Sequence, residues 1–373
     1  MPRLLHLADY IPPQGGSFIP FMRSVLAGAQ ERGWETDAVF PESARGRVWL
    51  EQFESRGIPV HFVSGSRREL TGQLHELLGD RRDPSVLHTH FTVYDVPAAL
   101  VARRRSEVAV YWHIHTVLPQ NVRAVAANVA KFSVVGRWVD RILCPAANIA
   151  DGIRRRFGPR GKIEVFPSPI DVDAFEPISD DQRRQYREAL GVSDGLQGLL
   201  LFGRDWEIKG GELFLEALGR LVAQGRPVVG LINQGGDVAQ SRTRALGLES
   251  HVRIVGLDPN VQAMYGAAEL LVAPSRGEGM PFTVVESLCS GTPVVASDLP
   301  GHSYLGAELD ACAITQRDPD QIAAAVAEFL DMDPSERARR CDVARAWISE
   351  RLGLQSAAQR LVDDYERTLG ESS

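Results

Sequence analysis

Two tandem doubly wound α/β domains are the architecture this sequence predicts, and three observations carry it. Thirteen short β-rich runs alternate with helical patterns from one end of the chain to the other, at the spacing of parallel sheets with crossover helices. A stretch rich in proline and acid, PSPIDVDAFEPISDD (167–181), parts the runs into two series and reads as an interdomain linker. With 373 residues, the chain has room for two domains of roughly 150 residues each.

The first series is LLHLAD (4–9), TDAVF (36–40), IPVHFV (58–63), SVLHTH (85–90), VAVYWH (108–113), RILCP (141–145) and KIEVF (162–166). Amphipathic stretches at 18–32, 93–105, 119–135 and 146–157 lie between these runs. The second series is GLLLFG (198–203), PVVGLI (227–232), HVRIVG (251–256), ELLVAP (269–274), PVVAS (293–297) and ACAIT (311–315), again alternating with helices. Residues 334–370 read as helical, and Leu354, Ala358, Leu361, Tyr365 and Leu369 form one apolar stripe. Such a stripe must dock, either on its own domain or back on the first. The expected boundaries are 1–176, 177–352 and a terminal helix over 353–373.

Composition excludes several classes. A net charge of −7 argues against a general nucleic-acid binder, and no apolar run reaches the ~20 residues that span a bilayer. The start, MPRLLHLADY, lacks the pattern of a secretory signal, and Cys144, Cys289, Cys312 and Cys341 have no ligand spacing. Reduced thiols in a cytoplasmic protein are the expectation. The charge is uneven: residues 1–176 carry 22 basic and 19 acidic side chains, the remainder 19 and 29. The first half therefore suits an anionic partner, and Arg103–Arg105 and Arg154–Arg156 read either as a solvated charged face or as contact with a membrane surface or an anionic acceptor.

Ligands of open parallel sheets bind beyond the carboxyl ends of strands, so the residues that follow each run hold the chemistry. In ELLVAPSRGEGMPFTVVESLCSGTPVVAS (269–297), a loop with two glycines leads to Pro281, expected at the first helical position, and Gly291 ends the helix. Backbone N–H groups from Met280 to Thr283 would form an anion site suited to a diphosphate. Glu278 in the loop and Glu286 in the helix would reach sugar hydroxyls. In LLLFGRDWEIKGGELFLEAL (199–218), Arg204 and Lys209 can grip phosphate oxygens, and Lys209 is one of only three lysines in an arginine-using chain.

In the first half, Gly15 and Gly16 allow close approach of a ligand, and Ser17 is placed to cap the helix after it. No GxGxxG fingerprint occurs there, which disfavours a nicotinamide or flavin enzyme. Two H-x-H pairs, His88-x-His90 and His113-x-His115, end strands. No Asp or Cys accompanies them at a useful spacing, so no metal site is expected. One histidine of each pair is expected in the ligand cleft, with His113 the stronger candidate.

These residues resemble the retaining glycosyltransferases of family 4, the sucrose-synthase and mannosyltransferase-like group with the GT-B fold. GRDWEIKG resembles the family's GR…KG element, and GEGMPFTVVESLCSGTPVVASDLPG its EGFGLxxxEAMAxGxPVVAS element, with Glu278 and Glu286 as the Glu-x7-Glu pair. PPQGGS, VLHTH and VYWHIH match more loosely. The resemblance implies two Rossmann-like domains facing each other across a cleft, the first for the acceptor and the second for a nucleotide diphosphate-sugar donor. Arg204 and Lys209 would bind the diphosphate, Glu286 the ribose, and Glu278 the transferred sugar. Gly279, Met280, Pro281, Phe282 and Thr283 would add donor contacts. His113 would lie over the reacting sugar, with Gly15, Gly16 and His90 on the acceptor side. Ser168-Pro169 stands where the family has Asn-Gly, while Met280 and Phe282 depart from its usual residues.

The reaction so implied moves a sugar to a hydroxyl of a small-molecule or lipid-linked acceptor with retention. Fixed cations favour the charge that builds on the leaving diphosphate, and neither a separate cofactor nor a divalent metal is called for. Two other readings stand beside it: a phosphorylase or nucleotide-sugar epimerase of the same architecture, and a nucleotide-sugar-binding protein without turnover.

Overall fold

The computed structural model describes residues 1–115, 122–157, 160–256, 260–278 and 280–371. The chain forms two compact units, Met1–Asp171 with Leu352–Ser373, and Val172–Arg351.

The sheet of the first unit contains β1 (Arg3–Ala8), β2 (Glu35–Pro41), β3 (Val60–Val63), β4 (Ser85–His90), β5 (Val108–His113), β6 (Arg141–Cys144) and β7 (Ile163–Val165). All pair in parallel, in the order β3-β2-β1-β4-β5-β6-β7. β4 and β5 are buried along their whole length, because helices cover both faces of the sheet. On one face, helices Phe18–Glu31 and Leu354–Glu371 pack on Leu4, Ala8, Val86 and Tyr111. The apolar stripe of the last helix is spent there: Ala358, Leu361, Tyr365 and Leu369 are buried. Ile170 fastens the return, donating its N–H to Leu352 O at 2.8 Å and accepting from Leu354 N–H at 3.1 Å.

In the second unit, β8 (Gln197–Phe202), β9 (Val228–Asn233), β10 (Val252–Val255), β11 (Leu270–Ala273), β12 (Val294–Ser297) and β13 (Cys312–Thr315) form a parallel sheet ordered β10-β9-β8-β11-β12-β13. The order reverses between β8 and β11, which makes their carboxyl ends the topological switch point.

Several local expectations are corrected. Ser17 precedes helix Phe18–Glu31 but makes no side-chain cap, since its own backbone is already helical at φ −73°, ψ −18°. Helix Arg67–Leu78, absent from the sequence reading, starts at a capping box in which Ser66 and Glu69 each accept the other's backbone N–H. The basic triplets are partly consumed by the fold. Arg105 is buried, pairs with Glu107 and donates to the carbonyls of Gly79 and Arg81. Arg154 pairs with Asp151 and donates to Ile163 O. All four cysteines are free and buried. Among the described residues, no helix is long and apolar enough to cross a membrane.

Candidate functional site

At the switch point, the loop after β8 meets the loop after β11. Gly210 precedes helix Gly211–Ala223 with φ +75°, and a side chain there would run into the carbonyl oxygen of Pro274. This close approach lets Arg276 donate its N–H to Ile208 O at 2.7 Å. Lys209 consequently reaches across: its Nζ lies 2.7 Å from Glu278 Oε1, which also accepts from Ser275 Oγ at 2.8 Å. The two side chains are 25% and 12% exposed, so the pair is partly withdrawn from water while still reachable by a ligand.

Arg204, expected to share a phosphate with Lys209, is exposed on a neighbouring wall. It borders a cavity of about 580 Å³ with Gly203, Trp206, Gly235, Arg276 and Arg317. Lys209, Glu278 and Glu286 are not part of that lining. The structure thus joins Lys209 to Glu278 and leaves Arg204 to one side.

Helix Phe282–Cys289 follows, and Pro281 precedes it rather than opening it, with φ −82°, ψ 65°. The anion site expected at its start is thinner than the sequence suggests. Pro281 has no N–H, and Phe282 donates its own to Met280 O at 2.9 Å, which leaves the amides of Met280 and Thr283. Gly291, with φ +79°, ends the helix as expected. Gly279 lies outside the described residues.

Glu286 is no idle surface residue. Tyr265 donates to its Oε2 at 2.8 Å from helix Val261–Ala267. Burial raises the Glu286 pKa above the ordinary carboxylate value, and the tyrosine bond works in the opposite sense. Tyr265 is itself held, with its ring against Phe202 and its carbonyl accepting from Thr292 Oγ1. Sequence reasoning missed both Tyr265 and Ser275, for nothing in their spacing marks them. It also missed His302, whose buried ring bonds to Ser297 O at 2.9 Å while Ser297 Oγ donates to Ser275 O at 2.7 Å.

In the first unit, Gly15 and Gly16 form a turn braced by Tyr10, whose hydroxyl donates to the carbonyls of Gln14 and Gly15. Gly16 has φ +51° and is exposed. Register, not spacing, decides the histidines: His90 sits opposite His113, and His6 opposite His88. With His115 they form a ladder on one face of the sheet. His6 Nε2 lies 3.0 Å from His88 Nδ1, His88 Nε2 3.3 Å from His113 Nδ1, and His90 Nδ1 2.9 Å from His115 Nε2. His113, expected to be the accessible member, is buried, because His115 stacks beyond it and Phe21 and Phe166 pack on it. His90 is buried too, and His115 alone of the four H-x-H histidines is half-exposed. Burial lowers the pKa of every member, His6 to about 3 and His115 to about 4, so all are neutral at pH 7.

The loop after β4 is strained: Phe91 and Thr92 both have left-handed backbones, with φ 61° and 67°. Thr92 lines a groove of about 740 Å³ with Gly65, Arg67, Asn128 and Lys131.

Two parallel, doubly wound units in tandem are the architecture of the GT-B glycosyltransferases, and the comparisons agree. Residues 197–332 match the family described as glycosyl transferases group 1, and residues 21–174 match glycosyltransferase family 4. Both units thus match glycosyltransferase families, the first of them family 4. The chain is similar to D-inositol 3-phosphate glycosyltransferase of Nocardiopsis dassonvillei, 26% identical over 75% of this chain and 70% of that one. A glycosyltransferase of Rickettsia africae ESF-5 shares the fold, with a TM-score of 0.82 at 14% identity over 98% of both chains. So does HepE of Anabaena, solved in complex with UDP and glucose, with a TM-score of 0.73 at 16% identity over 97% of this chain and 99% of that one.

Proposed function

We propose that this glycosyltransferase moves a sugar, with retention, from a nucleotide diphosphate-sugar to a hydroxyl of an anionic small-molecule or lipid-linked acceptor. The Lys209–Glu278 pair carries the reading. Without donor, Glu278 holds the ammonium in place; with donor, Lys209 turns its charge to the diphosphate and frees Glu278 for the hydroxyls of the sugar. Charge developing on the leaving diphosphate meets a cation already oriented, which favours the transition state over the intact donor. Arg204 joins from the adjacent wall, so the cationic role at the diphosphate falls to side chains, and no separate cofactor is required. Met280 and Thr283 amides add donor contacts, with Pro281 and Phe282 shaping the turn, and the Tyr265–Glu286 pair takes the ribose diol.

The acceptor is assigned to the first unit. Arg67 in the groove beside the strained Thr92 suits an anionic group, with Lys131 there already paired with Asp95, which agrees with the phosphate in the name of the Nocardiopsis relative. Gly15 and Gly16 offer backbone approach at the neighbouring strand end, and His115 is the ladder member open to a ligand, with His90 and His113 supporting it from behind.

A thermal-shift screen of UDP-, GDP-, ADP- and dTDP-sugars tests the donor, since a ligand of the folded state raises its melting temperature by mass action. One donor should raise it in the wild type and fail to do so in Lys209→Ala. A wild type that responds to none of them overturns the reading.

A further inference from the structure

The H-x-H spacing alone offered two histidines per strand and no third ligand. Pairing of β4 with β5 supplies one. His113 ends β5, His115 follows two residues later and stacks on it, and His90 on the next strand stands opposite His113. One ring nitrogen from each of the three lies within 4.8 Å of the others. We propose that His90, His113 and His115 form a three-imidazole site for a divalent transition ion of the zinc class, with the fourth position open on the side of the half-exposed His115.

A second observation points the same way. The Nε2 atoms of His90 and His113 are buried and have no hydrogen-bond partner among the described residues, although an unpaired buried polar atom is costly. A metal ion turns such lone pairs into bonds.

The ring behind them is arranged to support the site. His88 Nε2 faces His113 Nδ1, and His88 Nδ1 faces the Tyr365 hydroxyl. When His113 Nδ1–H donates to His88 Nε2, and His88 Nδ1–H donates to the Tyr365 oxygen, His113 Nε2 is left as a bare lone pair. A hydrogen bond on the remote nitrogen is what orients most metal-bound histidines. The all-nitrogen set suits zinc, cobalt or copper, and not the oxygen-seeking magnesium or calcium. Zn–N bonds of about 2.0–2.1 Å place ligand nitrogens roughly 3.4 Å apart, so the site closes by ring movements of the order of 1 Å. Phe18, Phe21, Phe91 and Phe166 wall it and keep competing water away.

Titration of the metal-stripped full chain with Co²⁺, a coloured stand-in for zinc, tests the proposal independently of any transfer activity. Saturation at one equivalent with the intense visible bands of tetrahedral cobalt is expected. His115→Ala should weaken binding by about 100-fold or more, and His251→Ala, distant in sequence and outside the ladder, should not change it. Absence of a stoichiometric endpoint, a weak octahedral spectrum, or equal binding by His115→Ala overturns the site. Should His115→Ala fail to fold, NMR of the wild-type cobalt form decides: three hyperfine-shifted imidazole N–H resonances support the triad, and fewer refute it.

Discussion

Lys209 and Glu278 meet because Gly210 lets two loops touch, so one residue without a side chain sets the geometry of the charged pair beside it. Gly210→Ala places a Cβ against Pro274 and forces a left-handed alanine. A loss of about 1–3 kcal/mol is expected, read as a lower urea midpoint with an unchanged m-value. Lys209→Ala leaves the loops in place and removes the charge. Turnover should fall by about 100-fold or more at saturating donor, and a rate near the wild type's would remove Lys209 from the chemistry. Glu286 gives a pH-dependent test. Burial raises its pKa, so donor affinity that depends on its ionised form declines with acidification at a higher pH than for an ordinary carboxylate. Tyr265→Phe deletes the bond that lowers that pKa, so the midpoint should move further up, as calorimetric donor titrations at a series of pH values would record.

Elements show what a sequence exposes and what it hides. SVLHTH and VAVYWH coincide residue for residue with β4 and β5; burial on both faces makes VAVYWH nearly all apolar, while Ser85, His88 and Thr89 of SVLHTH are buried with hydrogen-bond partners. Helix Arg67–Leu78 escaped notice since its apolar positions are few, although Ser66 and Glu69 spell its capping box. Lys209 and Glu278 stand out in the sequence through the glycine-bearing loops that carry them, and Glu286 through the helix that follows. Tyr265 was not, for it reaches Glu286 from another helix, 21 residues away. Nor could spacing reveal the histidine ladder, which exists only once β1, β4 and β5 are in register. That ladder makes the first unit sensitive to acid. Its pKa values lie below the ordinary 6.5 in the folded state, so the unfolded chain binds protons that the folded one refuses. Stability is full above pH 6.5 and falls toward about 4 and then 3, the values of His115 and His6, by at most about 1.4 kcal/mol per pH unit for each histidine. Urea unfolding followed across this range should show the decline, and His6→Phe should make it shallower.

In the whole molecule, the second unit is one continuous segment, Val172–Arg351, set within a first unit built from both ends of the chain. Removing residues 352–373 uncovers the apolar side of helix Phe18–Glu31 and takes away Tyr365, which closes over His88. Scanning calorimetry of a chain ending at Arg351 should show the first unit's transition lost or markedly lowered and the second unit's unmoved. Equal effects on both would contradict the division. During synthesis on the ribosome the same path imposes an order of events. The second unit leaves the exit tunnel complete, while the earlier-made sheet still waits, one flank bare, for the final helix to arrive. Chaperones that grasp nascent apolar surface would meet this protein there, and helix Leu354–Glu371 is the segment that releases it.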